Sequence, residues 1–133
     1  MRSAWLAVLL ACGLSGVAVF GQEERPCRPR RHARLPFVKE MTYQQARKRL
    51  LAAGWRPLQT KSADDPNVNN GNGPLFWRRG YVELESCAGT GHAACSFIFK
   101  DRYGNRLRVT TEGEELPREG ARAGVNGYRF LCD

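Results

Sequence analysis

The chain has 133 residues, 21 Lys and Arg against 13 Asp and Glu for a formal charge of +8, and five Cys. Apolar residues at 42% and charged residues at 26% are the balance of one small folded domain, with no room for a second core. These figures exclude a multi-domain enzyme, a polytopic membrane protein and a coiled coil.

Arg2 precedes an uncharged apolar run of 17 residues, Ala4 to Phe20, broken by Gly13, Ser15 and Gly16. A membrane span needs about 20 strongly apolar residues, so a basic start, an apolar centre and small residues at the end point to a signal peptide. Residues 1–21 are assigned to it, with cleavage before Gln22 or, alternatively, after Ala18. A second alternative is a lipidated Cys12, since Leu9-Leu10-Ala11-Cys12 resembles a lipobox. Residues 22–34 follow as an arm. Arg25, Arg28, Arg30, Arg31 and Arg34 against Glu23 and Glu24 leave it a net +3. Pro26, Pro29 and like-charge repulsion oppose helix, which predicts an extended, solvated segment pinned at Cys27.

A single domain is expected over residues 35–133. Leu35 to Val38 suggests a short strand. Thr42 and Gln45 form a capping box before a helix whose Tyr43, Ala46, Leu50 and Ala53 share one face. Arg47, Lys48 and Arg49 are expected on the wet side. Gly54 ends the helix, and Trp55 folds back over its last turn. Residues 61–74 read as an exposed loop. Strand alternation then appears around Val82 and Leu84, at Cys95, Phe97 and Phe99, and at Leu107, Val109 and Thr111. Tyr103-Gly104-Asn105 supplies a hairpin turn between the last two. Residues 112–127 read as loop, and a final strand covers Tyr128 to Cys132. The fold class is α+β: one helix on an antiparallel meander of three to four strands.

Removal of the signal leaves Cys27, Cys87, Cys95 and Cys132, an even number suited to two disulfides. Cys87 and Cys95 flank a short loop between strands, where facing Cα atoms fall within bonding range. Cys27 with Cys132 then ties the two ends. Zinc is the alternative, but the close Cys-x-x-Cys spacing it favours is missing.

Leu35-Pro36-Phe37-Val38-Lys39-Glu40-Met41-Thr42-Tyr43-Gln44-Gln45-Ala46-Arg47, continued by Leu50-Leu51-Ala52-Ala53-Gly54-Trp55, resembles the opening strand and helix of a PASTA domain. That family shows a Pro-Val start, a Met, a polar cap, an Ala-Arg pair and a closing Ala-Gly. The resemblance implies a helix-on-sheet fold and an address outside the cytoplasm, where some members bind peptidoglycan fragments. It covers residues 35–55 and carries over no binding residue. The second half departs from the family with a long polar loop, a Cys-bounded hairpin and no repeat. Ser86-Cys87-Ala88-Gly89-Thr90-Gly91, with Cys95 and Phe97 beyond, is similar to an uncharacterised group of small exported bacterial proteins.

No catalytic constellation stands out. His32 lies in the arm and His92 in the Cys-bounded loop, neither beside an evident nucleophile and acid. Glu83 and Glu85 read as the wet side of a sheet facing Arg106 and Arg108. Asp65-Pro66-Asn67-Val68-Asn69 imitates a calcium loop, but Asn70 and Phe76 stand where Gly and an acid are needed, so turn chemistry explains it. Gly89-Thr90-Gly91 is too short a signal for an anion nest. No enzyme activity, metal or cofactor is expected.

Two binding strips remain. The arm, with Arg28, Arg30, Arg31 and Arg34, suits an anionic surface. Trp77, Arg78, Arg79 and Tyr81 interleave rings and cations, which suits sugar stacking or a protein interface, or else core aromatics with snorkelling Arg. The reading is a small, secreted or periplasmic, non-catalytic binding module of the bacterial envelope, without a transmembrane span once the signal is removed. Its expected partner is peptidoglycan, another anionic envelope polymer or an envelope protein, and not nucleic acid. The alternative is a secreted inhibitor or effector that blocks a partner enzyme.

Overall fold

A computed structural model describes residues 27–132. The assigned signal segment, Cys12 and Arg25 lie outside the described residues. Helix α1 covers Tyr43–Ala52, and the Thr42 Oγ1 accepts from Gln45 N while Gln45 Oε1 accepts from Thr42 N, completing the capping box. Tyr43, Ala46 and Leu50 are fully buried. Gly54 takes a φ of 100°, where a side chain would be strained. This lets Trp55 turn back, and its N–H donates to Leu50 O at 3.1 Å.

Five antiparallel strands form one sheet: β1 (Arg56–Pro57), β2 (Leu84–Cys87), β3 (Cys95–Lys100), β4 (Arg106–Glu112) and β5 (Gly124–Leu131). The order runs β1-β3-β4-β5, and β1 and β2 divide one edge of β3. Pro57 faces Phe99, whereas Leu84 faces Phe97 and Cys87 faces Cys95. Phe97, Phe99, Leu107 and Val109 make the covered face, and Tyr43 stacks on Phe97 with ring centroids 3.6 Å apart. The disulfides join Cys87 to Cys95, with Cα atoms 4.1 Å apart, and Cys27 to Cys132, at 5.8 Å.

Several expectations need correction. Leu35 to Val38 forms no strand. It contributes buried Val38 to the core, and the backbone just after it, at Glu40 and Met41, bonds Val125 of β5. Residues 112–127 are not all loop, because β5 begins at Gly124, where Met41 O and Glu40 N bond Val125. The strip at 76–81 is helical at its start: α2 spans Gly73–Arg78. Gly73 begins it with no space for a side chain, since a Cβ there would lie 1.7 Å from Val68 O. Glu83 is not on the wet side but wholly buried, next to an irregularity between Leu84 and Ser86 that breaks the two-residue alternation. Glu85 does face Arg108, as the alternation implies.

Candidate functional site: a cationic rim at the hairpin turn

The β3–β4 turn is organised by Asp101. Its Oδ1 accepts the N–H groups of Tyr103 (3.0 Å) and Asn105 (2.8 Å), and Gly104 takes a φ of 86° between them. Oδ2 accepts Asn105 Nδ2 at 2.9 Å and the N–H of Ala33 at 2.8 Å. The arm is thereby fastened to the turn. Asn105 Nδ2 also donates to Arg31 O, Trp55 Nε1 donates to Arg34 O, and His32 packs on Phe130 at 5.0 Å. Burial pushes the Asp101 carboxyl up, but Asn105, Ala33 and Tyr103 outweigh it and hold the group below its ordinary value.

Those bonds engage arm backbone, so the arm side chains stay outside. Arg28, Arg30, Arg31 and Arg34 are all exposed. Arg31 and Arg102 both lie against the Tyr103 ring, their guanidinium carbons 5.0 and 4.8 Å from its centroid. Arg102 Nη2 also donates to Tyr103 Oη at 2.6 Å and lowers the phenol pKa. Lys100 is exposed at the end of β3, facing Arg106 in the sheet register. Across residues 27–34, 100–106 and 129–132 the one carboxylate is Asp101, 5% exposed with both oxygens engaged. Exposed Arg28, Arg30, Arg31, Arg34, Lys100 and Arg102 therefore make the rim positive. It can attract an anion over a Debye length and hold it by charge-assisted hydrogen bonds.

The second sequence strip is dispersed. Trp77 packs against the core, Tyr81 packs on Tyr43 at 5.5 Å, and Arg79 bonds Glu115 at 2.8 Å. Of Trp77, Arg78, Arg79 and Tyr81, Arg78 alone is exposed. Rings with snorkelling Arg describe this segment.

Two further carboxylates are buried: Glu83, which its alternation with Leu84 placed in solvent, and Glu115, which no motif singles out. Glu83 accepts from Tyr43 Oη at 2.7 Å and from Arg47 Nε at 2.6 Å, and the Arg47 guanidinium lies 4.6 Å from the Tyr81 centroid. Burial, then Glu83, raises the Tyr43 phenol well above its ordinary value. The available signal was the four-residue spacing of Tyr43 and Arg47, which sets both on one helix face. Glu115, 2% exposed, accepts from Arg79, Gln44, Arg122 and Ala123 N. No pattern in the sequence marks it.

Neither carboxylate is equipped for acid–base work, because cations and donors hold each in place. Glu85, on the outer sheet face, is gripped by both Arg108 Nε (2.9 Å) and Nη2 (2.8 Å), and Ser96 Oγ donates to it at 2.9 Å. Burial opposes these bonds, yet its pKa is lowered, which makes it a weak base. His92 is exposed on its loop. Among the described residues no group of three or more His, Cys, Asp or Glu is placed to hold a metal ion, and no helix is long and apolar enough to cross a membrane. No protein-family model, curated protein or solved structure matches this chain.

Proposed function

We propose that this chain is a non-catalytic binding module of the bacterial envelope that holds an anionic polymer, peptidoglycan or another acidic envelope glycan, through its basic arm and the β3–β4 turn. The observation that carries the reading is the Arg31–Tyr103–Arg102 arrangement, in which an arm cation and a turn cation share one ring. Exposed Arg28, Arg30 and Arg34 extend that charge along the arm. Two disulfides are compatible with an oxidising, exported compartment, and the PASTA-like segment at residues 35–55 agrees with that address. The arm supports this reading better than the 77–81 strip supports an inhibitor, since Trp77, Arg79 and Tyr81 are partly buried and engaged with the core and Glu115.

The test is co-sedimentation of the mature protein with purified peptidoglycan sacculi across a salt series. Binding should be strong at low salt and fall steeply as salt rises. Replacing Arg28, Arg30, Arg31, Arg34 and Arg102 by Gln should abolish it and leave the fold intact, because the arm docks through its backbone. Equal binding and an equal salt response in the Gln variant would remove the rim from consideration.

A further inference from the structure

A second surface, independent of the rim, lies along the outer side of α1. Phe37 is 66% exposed, and Arg49 Nη1 donates to its carbonyl at 3.3 Å. Beside it a trough of about 420 Å³ is lined by Met41, just before the helix, and by Gln45, Lys48, Arg49 and Ala52 on one side of α1. Met41 and Ala52 give it apolar surface, and Lys48 and Arg49 give it positive charge. Glu40 is the one acid between residues 35 and 56, and it lines a separate hollow with Lys39, Glu112 and Asn126.

Phe, Met and Arg are the side chains enriched where protein partners dock, while the Lys and Arg walls choose the sign of the partner. A second copy would bring Lys48 and Arg49 together with their own equivalents around a two-fold axis, which repulsion opposes. A flat bilayer would leave the concave trough unfilled. We therefore propose that this face docks an acidic peptide segment of a partner protein. An apolar anchor would seat between Met41 and Ala52, carboxylates would reach Lys48 and Arg49, and Phe37 would close over the peptide.

The experiment titrates ¹⁵N-labelled protein with an eight-residue peptide of Asp and Glu around a central Leu-Phe pair. Amide shifts should concentrate at Phe37, Met41, Gln45, Lys48, Arg49 and Ala52. Phe37→Ala and Lys48→Glu should each weaken the affinity at least tenfold. A peptide with Lys in place of the acids should not bind, and the Arg28, Arg30, Arg31, Arg34→Gln variant should bind as the parent does, which separates this surface from the rim. Shifts centred on the arm, or none at millimolar peptide, would overturn the proposal. So would a Phe37-dependent dimer in sedimentation. Phe37-dependent binding to vesicles containing 30% phosphatidylglycerol, with no peptide response, would assign the face to lipid instead.

Discussion

The carboxylate of Asp101 accepts the backbone N–H of Ala33 at 2.8 Å, across 68 residues of sequence. This bond makes the root of the arm part of the packed domain, so packing reaches back beyond Leu35. The arm's guanidinium groups stay in solvent because the hydrogen bonds to Asp101, Asn105 and Trp55 engage its backbone.

Replacing Asp101 with Ala should strip the turn and the arm of this shared acceptor, at about 1.5–3 kcal/mol for bonds to a charged group. The consequence should be local. Limited trypsin digestion should cut the variant after Arg31 or Arg34 well before it cuts the parent. Equal cleavage rates would show that the bond does not hold the arm.

Arg47 and Lys48 are adjacent on α1 but differ in task. Arg47 Nε lies 2.6 Å from Glu83, whose side chain is fully buried, whereas Lys48 is exposed. Arg47→Ala should destabilise by about 1.5–3 kcal/mol, since it leaves a buried carboxylate short of a donor. Lys48→Ala should cost about 0–0.5 kcal/mol. Chemical denaturation of the two variants decides it, and matching midpoints would dismiss the buried pair as a stabilising contact. Leu50→Ala, emptying a fully buried position, should cost about 2–5 kcal/mol.

Glu115 joins α1 through Gln44, the end of α2 through Arg79, and the segment entering β5 through Arg122 and Ala123. Burial would raise its pKa, but Arg79, Ala123 N–H, Gln44 and Arg122 together lower it. A carboxyl lowered in the folded state contributes stability above its unfolded pKa, about 4.3, and loses it as pH falls through the lower folded value. Acid unfolding should therefore steepen below about pH 4. Glu115→Gln should flatten that slope and reduce stability at neutral pH. An unchanged acid limb would argue that Glu115 is not among the groups driving acid unfolding.

The two disulfides should differ in worth. Cys27–Cys132 spans 105 residues and Cys87–Cys95 spans 8. Loop-closure entropy assigns them about 4.7 and about 2.5 kcal/mol, so paired Cys→Ser replacements should lower the melting temperature in that order. Non-reducing peptide mapping that joined Cys27 to Cys87 or Cys95 would refute the pairing outright.

Local rules were enough for α1, because capping, helical spacing and a closing glycine all act within one turn of chain. They served equally for β3, β4 and the Tyr103-Gly104-Asn105 turn, where a two-residue period and a turn-forming sequence coincide. They failed at Phe76 to Glu83. There a short helix gives way to a turn and then to a buried acid just before β2, and neither period persists for long enough to be read.

What the sequence determined by itself is therefore the fold class, the helix, the central hairpin and the disulfide pairing, each set by contacts between near neighbours: once Cys87 and Cys95 join across their short loop, Cys27 is left with Cys132. It also exposed the arm's charge. Only the tertiary structure decided where that charge is held. Asp101 reads in sequence as an ordinary turn residue, yet its second oxygen takes Ala33 and sets Arg31 beside Arg102 on one ring. Glu83 and Glu115 were decided in the same way. A buried carboxylate is tolerable only where donors from distant segments meet it, and the chain's order does not encode which segments those are.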